Sequence, residues 1–293
     1  YFSPHPVLPV LTCRGCYWRR CAFCIHYKSA GLTYRRHSPE HIIEELKSHA
    51  DNGIRHFNFV DEMISPEHFR KLAQAIIAAK LDIKYYALAK PVKQFTPELL
   101  SFIKESGCQY LIWGVESGSQ RMLDLMDKGT KVSDIAGVLQ TSRQAGLFNH
   151  VFILFGFPTE TKEDFAQTLR FLEENKNAIY GVNISSFNLN KGSPVFDNPE
   201  RFSITRVWPT GDYRSHGGFG FSCSSGMSHE ETGELIGKMR MFLGAFNPYS
   251  GAIQNFRDHA LLIYGKVGAK LKPESRPLPK LVISLPEQSS FSA

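Results

Sequence analysis

The sequence predicts an α/β fold, a partial (β/α)6 TIM-like barrel followed by a mainly helical and irregular C-terminal extension. Three observations lead there. Six apolar runs of strand length alternate with longer helix-like stretches over about the first 190 residues, close to the roughly 30 residues per unit of repeated βαβ structure. Right-handed crossovers would lay such strands side by side and parallel. The helices are alike and the strands come in simple succession, which favours a barrel over an open doubly wound sheet, and six units are short of the eight that close one.

Each element has its own signal. Val7 to Thr12 reads as the first buried strand, with Pro9 near its start. A cysteine-rich loop follows. Ser38-Pro39-Glu40 opens a helix with Ser as N-cap and Pro at the first turn, and Asn52-Gly53 ends it. Ile54 to Val60 is the second strand, with Asp61-Glu62 at its tip. Ser65-Pro66-Glu67 repeats the helix start, and Phe69, Leu72, Ala73 and Ile76 line the buried face. Asp82 to Ala89 is the third strand, closed by Lys90-Pro91, and Thr96-Pro97-Glu98 starts a helix ending near Gly107. Tyr110 to Val115 is the fourth strand, followed by Glu116-Ser117 and two short helices at 119–126 and 132–145. His150 to Phe155 is the fifth strand, helix 162–175 comes next, and Val182 to Leu189 is the sixth strand.

After Lys191 the character changes. Turns are expected at 192–195 and 197–200, a Gly- and Ser-rich loop from Arg214 to Ser225, and helices at 228–246 and 250–266. The domain reading is therefore a core over 1–191, a substrate-covering extension over 192–270 and a flexible tail over 271–293.

Bulk composition narrows the function. The 293 residues, 42% hydrophobic and 21% charged, are ordinary for a globular chain with a substantial core. No apolar run reaches the roughly 18 residues of a membrane span, and no signal peptide is read. The net charge of +6 is mild and dispersed, so no nucleic-acid partner is expected. Unpaired cysteines imply a reducing compartment, and the expected location is cytoplasmic. The start at Tyr1 reads as a linker, which suggests a piece of a longer protein.

Four of the six cysteines, Cys13, Cys16, Cys21 and Cys24, fall within twelve residues. Thiolates so close bind a metal or cluster when no disulfide context exists. A structural zinc site would need its two halves about 15–20 residues apart. Cys16-x4-Cys21-x2-Cys24 better fits one corner of an iron–sulfur cluster. Either a four-iron cube with one open iron or a two-iron cluster with a remote fourth thiolate, from Cys108 or Cys223, satisfies the spacing. Zinc and reactive thiols remain as alternatives, so the rival functions are a non-enzymatic electron carrier and a zinc-stabilised binding protein.

Arg-Gly-Cys-Tyr-Trp-x-x-Cys-x-Phe-Cys after a short strand resembles the cluster loop of radical S-adenosylmethionine (SAM) enzymes, with one residue more than the usual Cys-x3-Cys-x2-Cys. Gly114-Val-Glu116-Ser-Gly118 and Gly156-Phe-Pro-x-Glu160-Thr resemble further segments of that family, nearest in flavour to the catalytic half of its cobalamin-binding branch. The resemblance covers about residues 7–190 and implies a (β/α)6 radical SAM core. It also implies a [4Fe-4S] cluster on Cys16, Cys21 and Cys24, with Cys13 outside the ligand set and SAM on the fourth iron. Reductive cleavage of SAM would release a 5′-deoxyadenosyl radical that abstracts hydrogen from a small-molecule or peptide substrate. Cobalamin would belong to an upstream domain. The same resemblance assigns Asp61 and Glu62 to the SAM amino group, Glu116 and Ser117 to the ribose, and Phe23, Leu154 and Gly156 to adenine. Lys90 and Lys128 are read as solvated lysines in preference to partners of the methionine carboxylate. Arg19, Arg20, Lys28, Arg35 and Arg36 form a basic loop, either merely solvated or a dock for an acidic reductase such as flavodoxin or ferredoxin.

Overall fold

The computed structural model describes residues 4–29, 31–211, 218–243 and 256–267. The chain opens with β1 (Val7–Val10), β2 (Cys13–Arg14), α1 (His26–Ser29) and β3 (Arg35–Arg36). Then come α2 (Pro39–Asp51), β4 (His56–Phe59), α3 (Pro66–Ala78), β5 (Lys84–Ala89), α4 (Pro97–Glu105) and β6 (Cys108–Glu116). The second half of the core holds α5 (Gln120–Leu125), α6 (Val132–Gln144), β7 (Phe148–Phe155), α7 (Lys162–Glu174) and β8 (Gly181–Ser186). Beyond it lie α8 (Pro194–Asp197), a 3-10 turn (Pro199–Phe202), β9 (Ile204–Pro209), β10 (Phe219–Cys223), α9 (His229–Leu243) and α10 (Arg257–Val267).

The three Ser/Thr-Pro-Glu starts act as expected. Ser38, Ser65 and Thr96 have extended backbones and accept from the third helical N–H, at 3.2, 3.3 and 3.3 Å. Each satisfies a donor that a helix start would otherwise leave unpaired. Thr161 and Asp164 form a reciprocal capping box on α7.

One six-stranded parallel sheet runs β1-β4-β5-β6-β7-β8. Each strand lies beside its predecessor in the series, with β1 and β8 as edges, in keeping with the predicted (β/α)6 order. One face packs on α2, α3, α4, α6 and α7 through residues such as Phe57, Phe59, Tyr85, Trp113 and Phe165. The other carries Tyr86, Tyr110, Ile112 and Phe148, covered by Ala260, Leu261 and Tyr264 of α10. Burial on both faces explains why the strands read as near-continuous apolar runs.

Several boundaries differ from the expectation. The sixth strand stops at Ser186 because Phe187 and Leu189 turn into a separate apolar cluster with Leu154 and Phe157. The Gly- and Ser-rich loop contains β10, which pairs antiparallel with β9. Phe219 and Phe221 carried that signal, masked by their glycine neighbours. The turns at 192–200 are α8, capped by Ser193, and the start of the 3-10 turn. Residues 1–3, 30, 212–217 and 244–255 lie outside the described residues, as do 268–293 with the expected tail 271–293, so the start of the Gly- and Ser-rich loop and the ends of the two expected helices fall there too. Among the described residues, no helix is long and apolar enough to cross a membrane.

Candidate active site

The cysteine loop sits past the carboxyl end of β1, where parallel α/β folds collect their chemistry. Three ties fix it. Asp61, buried after β4, accepts from the Thr12 N–H (2.8 Å), the Thr12 hydroxyl (3.0 Å) and the Cys13 N–H. The β2–β3 ladder pairs Cys13 with Arg36 and Arg14 with Arg35, closing the loop at its base. The far side is stitched to the segment after α5. Ala22 N–H donates to the Met126 carbonyl (2.8 Å), Trp18 Nε1 donates to the Asp127 carbonyl (2.7 Å), and Arg20 pairs with Asp127 (3.0 Å).

All six thiols are free. Cys21 is buried, and Cys16 and Cys24 are half-buried on the same loop. Burial raises the pKa of Cys21 and, helped by the neighbouring thiols, pushes Cys24 up to about 11. Lys128 and Lys90 work against that shift at Cys21. Among the described residues, no three His, Cys, Asp or Glu side chains converge on a single ion. A four-iron cube takes one thiolate per iron and has no need of such convergence. Three thiols on one anchored loop beside buried cationic side chains therefore fit the donor set of such a cube. Cys13 points elsewhere: it is fully buried and its thiol faces the Met63 carbonyl at 3.6 Å. Cys108 begins β6, whose other end carries Glu116, so it lies a strand length away, about 26 Å.

The structure corrects the reading of two lysines. Lys90 and Lys128 are 1% and 2% exposed, not solvated. Lys128 Nζ donates to Glu116 Oε1 at 2.7 Å. Burial alone would lower the lysine's pKa, but Glu116 and the thiols of Cys21 and Cys16 raise it above the ordinary value. Glu116 reaches this partner through an irregular strand end. Its φ is +70°, and the β6–β7 register shifts between Gly114 and Glu116. A residue rarely adopts that φ without a stabilising environment. Lys90 Nζ lies 3.3 Å from the centre of the Trp18 ring, and burial together with Lys128 lowers its pKa to about 7.

The remaining candidates divide. Phe23 and Leu154 meet in one apolar cluster with Met122, Met126 and Phe157. Gly156, with φ +78°, follows Leu154, but its N–H already donates to Glu160 Oε2 at 2.6 Å. Glu62 faces the cysteine loop's exit, where its Oε2 lies 3.4 Å from His26 Nδ1, and this contact raises the histidine's pKa. Asp61 is committed to the backbone of Thr12 and Cys13, as above. Ser117 is buried behind the strand end, its hydroxyl bonded to Thr168 Oγ1 (3.1 Å) and accepting from Ser119 N–H. Sequence reasoning missed the Glu116–Lys128 pair, and its only trace there was a lysine directly after the apolar turns of α5.

The family model of the radical SAM superfamily matches residues 10–172. The chain is 32% identical over 168 residues to the uncharacterized methyltransferase PH0819 of Pyrococcus horikoshii, covering 56% of this chain and 36% of that protein. It is 25% identical over 186 residues to the bacteriochlorophyllide d C-12(1)-methyltransferase of Chlorobaculum tepidum, covering 59% and 40%. Its fold is similar to that of the radical S-adenosylmethionine methyltransferase TsrM from Kitasatospora setae, solved with cobalamin and a [4Fe-4S] cluster bound. The TM-score is 0.62 at 19% identity, over 71% of this chain and 42% of that one. The chain thus spans about two fifths of the length of the curated relatives it matches.

Proposed function

Because the chain belongs to the radical SAM superfamily, we propose that Cys16, Cys21 and Cys24 hold a [4Fe-4S] cluster and that the carboxyl ends of the strands hold SAM. When bound there, cluster and SAM would supply one-electron radical chemistry that ends in hydrogen abstraction from an organic substrate. The protein's share is to bind, orient and keep water out. The observation that carries the reading is the anchored loop of three thiols beside the buried Glu116–Lys128 pair.

Each residue then has a task. Glu116 spends Oε1 on Lys128, and its second oxygen is the acceptor offered to a ribose hydroxyl. Glu62, at the loop's exit, is the acceptor for the SAM amino group. Phe23 and Leu154 form the apolar wall for adenine. Asp61, Ser117 and Gly156 act indirectly, by holding the loop, the turn before α5 and the turn after β7. Residues 1–191 are the core. The extension over 192–270 reaches the site through the β9–β10 hairpin, whose Phe221 packs on Phe187, while α10 packs at the amino ends of the strands.

Methyl transfer is the reaction class we favour, since relatives of this chain are named methyltransferases. Cobalamin would then be bound by a segment outside these residues. Anaerobically purified product of the full gene that contains no corrinoid would remove cobalamin from the proposal. The reductant is a flavodoxin or ferredoxin docking on the basic cysteine loop. Much of that charge is already matched, with Arg20 on Asp127, Lys28 near Asp197 and Arg36 on Glu67. Reduction should slow as salt rises. A rate indifferent to both ionic strength and charge reversal at Arg19 and Arg20 excludes the dock.

The decisive experiment is anaerobic reconstitution with iron, sulfide, reductant and SAM, assayed for 5′-deoxyadenosine. Cys16→Ala should abolish the product and Cys13→Ala should leave most of it. Product from Cys16→Ala, or its loss in Cys13→Ala with the fold intact, overturns the ligand assignment. Cys108 begins β6, a strand length from Glu116, so the two-iron carrier would need Cys223, which packs in the same apolar cluster as Ala22 and Phe23; a cluster that survives Cys223→Ala excludes that carrier.

A further inference from the structure

Tyr17 Oη, Lys90 Nζ and Thr130 Oγ1 are buried atoms with no hydrogen-bond partner among the described residues. The residues that carry them line the same cavity, of about 810 Å³, with the three atoms themselves buried beneath its wall; the volume is within the roughly 300–1,000 Å³ of small-molecule sites. The cavity lies between the cysteine loop, the turn after β5 and the first turns of α3 and α6. None of Phe23, Glu62, Glu116 and Leu154 lines it, so it is separate from the proposed SAM site.

Its chemistry is one-sided. Lys90 is 1% exposed and Thr130 is 7% exposed. The Lys90 ammonium rests on the Trp18 ring at 3.3 Å, an attraction that leaves its N–H bonds without a lone pair to meet. A buried amine without an acceptor is costly, as is a buried hydroxyl without a partner. Each of the three atoms can donate. Tyr17, Trp18 and Tyr34 supply aromatic wall, and Arg36, Arg70 and Lys93 add positive charge at the rim. The two lining acids do not reverse that balance. Glu67 is paired with Arg36 at 3.2 Å, and Asp134, in the first turn of α6, shares the lining with Arg36, Arg70, Lys90 and Lys93. Arg70 is matched by Glu98 at 3.1 Å.

We infer that this cavity binds an organic anion, a ring or short chain ending in a carboxylate or phosphate. Its oxygens meet Lys90, Tyr17 and Thr130, and its body lies against Trp18 and Tyr34. A bare inorganic ion would satisfy the donors and leave the aromatic walls and most of the volume unused. The site goes beyond the SAM chemistry: its ligand is a second small molecule, held directly behind the loop that carries the thiols.

Isothermal titration of the anaerobically reconstituted chain tests this with phenyl phosphate, phenylacetate and the neutral benzyl alcohol. At least one anion should bind, roughly tenfold or more tightly than the alcohol. The tighter of the two anions identifies the headgroup. Lys90→Met should weaken that anion by roughly tenfold or more, and Tyr17→Phe, which removes one oxygen and keeps the ring, by about threefold or more. Iron content and circular dichroism check that both variants fold. If Lys90→Met does not fold, Tyr17→Phe decides. Absence of anion binding up to about 10 mM, equal affinity for the alcohol, or unchanged affinity in the folded variants overturns the inference. Complete competition by SAM does so too, since the cavity would then belong to the cofactor site. Loss of 5′-deoxyadenosine formation with anion binding intact would defeat only the radical SAM activity.

Discussion

At the scale of single residues, two neighbouring carboxylates on either side of the α7 start behave in opposite ways. Burial would raise the pKa of Asp164, but Arg121, Thr161 and Ser119 hold it down to about 2. Glu160 is 1% exposed, has one oxygen on the Gly156 N–H and the other without a partner among the described residues. Its burial pushes the pKa from 4.5 up to about 8. Between those values the folded chain keeps a proton that the unfolded chain releases, so stability falls as pH rises through that window. Glu160→Gln carries no charge and retains an acceptor for Gly156. Urea denaturation should find it close to the parent near pH 4.5 and more stable than the parent near pH 8. A difference that fails to grow with pH would show that Glu160 is ionised in the folded protein.

At the scale of elements, close backbone approach decides which side chains reach the site. Gly118 lies so near α7 that a Cβ there would stand 2.8 Å from Thr168 Cα, which holds the turn after β6 against the helix. The same turn puts Ser117 on Thr168 and leaves Glu116 to meet Lys128. On the opposite end of the sheet, α10 supplies its own anchor. Tyr264 is 2% exposed, stacks on Phe148 at 4.2 Å between ring centres and shares a 2.7 Å hydrogen bond with His150. Burial, with Arg257 nearby, lowers the His150 pKa to about 3 and keeps the ring neutral. Tyr264→Ala should cost about 3–5 kcal/mol by chemical denaturation, and Tyr264→Phe about 1–3 kcal/mol, because it strands a buried imidazole. An alanine variant that loses less than about 1 kcal/mol would mean that α10 does not pack on this face.

At the scale of the whole molecule, local chemistry determined a great deal. Apolar runs of strand length, Ser/Thr-Pro-Glu helix starts and the cysteine spacing were enough for a parallel α/β order with a cluster loop after the first strand. Those signals are short-range: a cap needs its own third N–H, and a cluster loop needs only its own thiols. The hairpin β9–β10 was illegible because its partners lie across a glycine-rich stretch, and strand pairing over such a gap leaves no local mark. The same holds inside the site. The sequence alone could place Asp61, Glu116 and Ser117 at strand ends, but it could not say which way each would turn. Tertiary packing gave Asp61 to the backbone of the cysteine loop, Ser117 to α7 and Glu116 to Lys128. It also buried two lysines that local reading leaves in water, because the burial of a long cationic side chain depends on what the rest of the chain stacks over it.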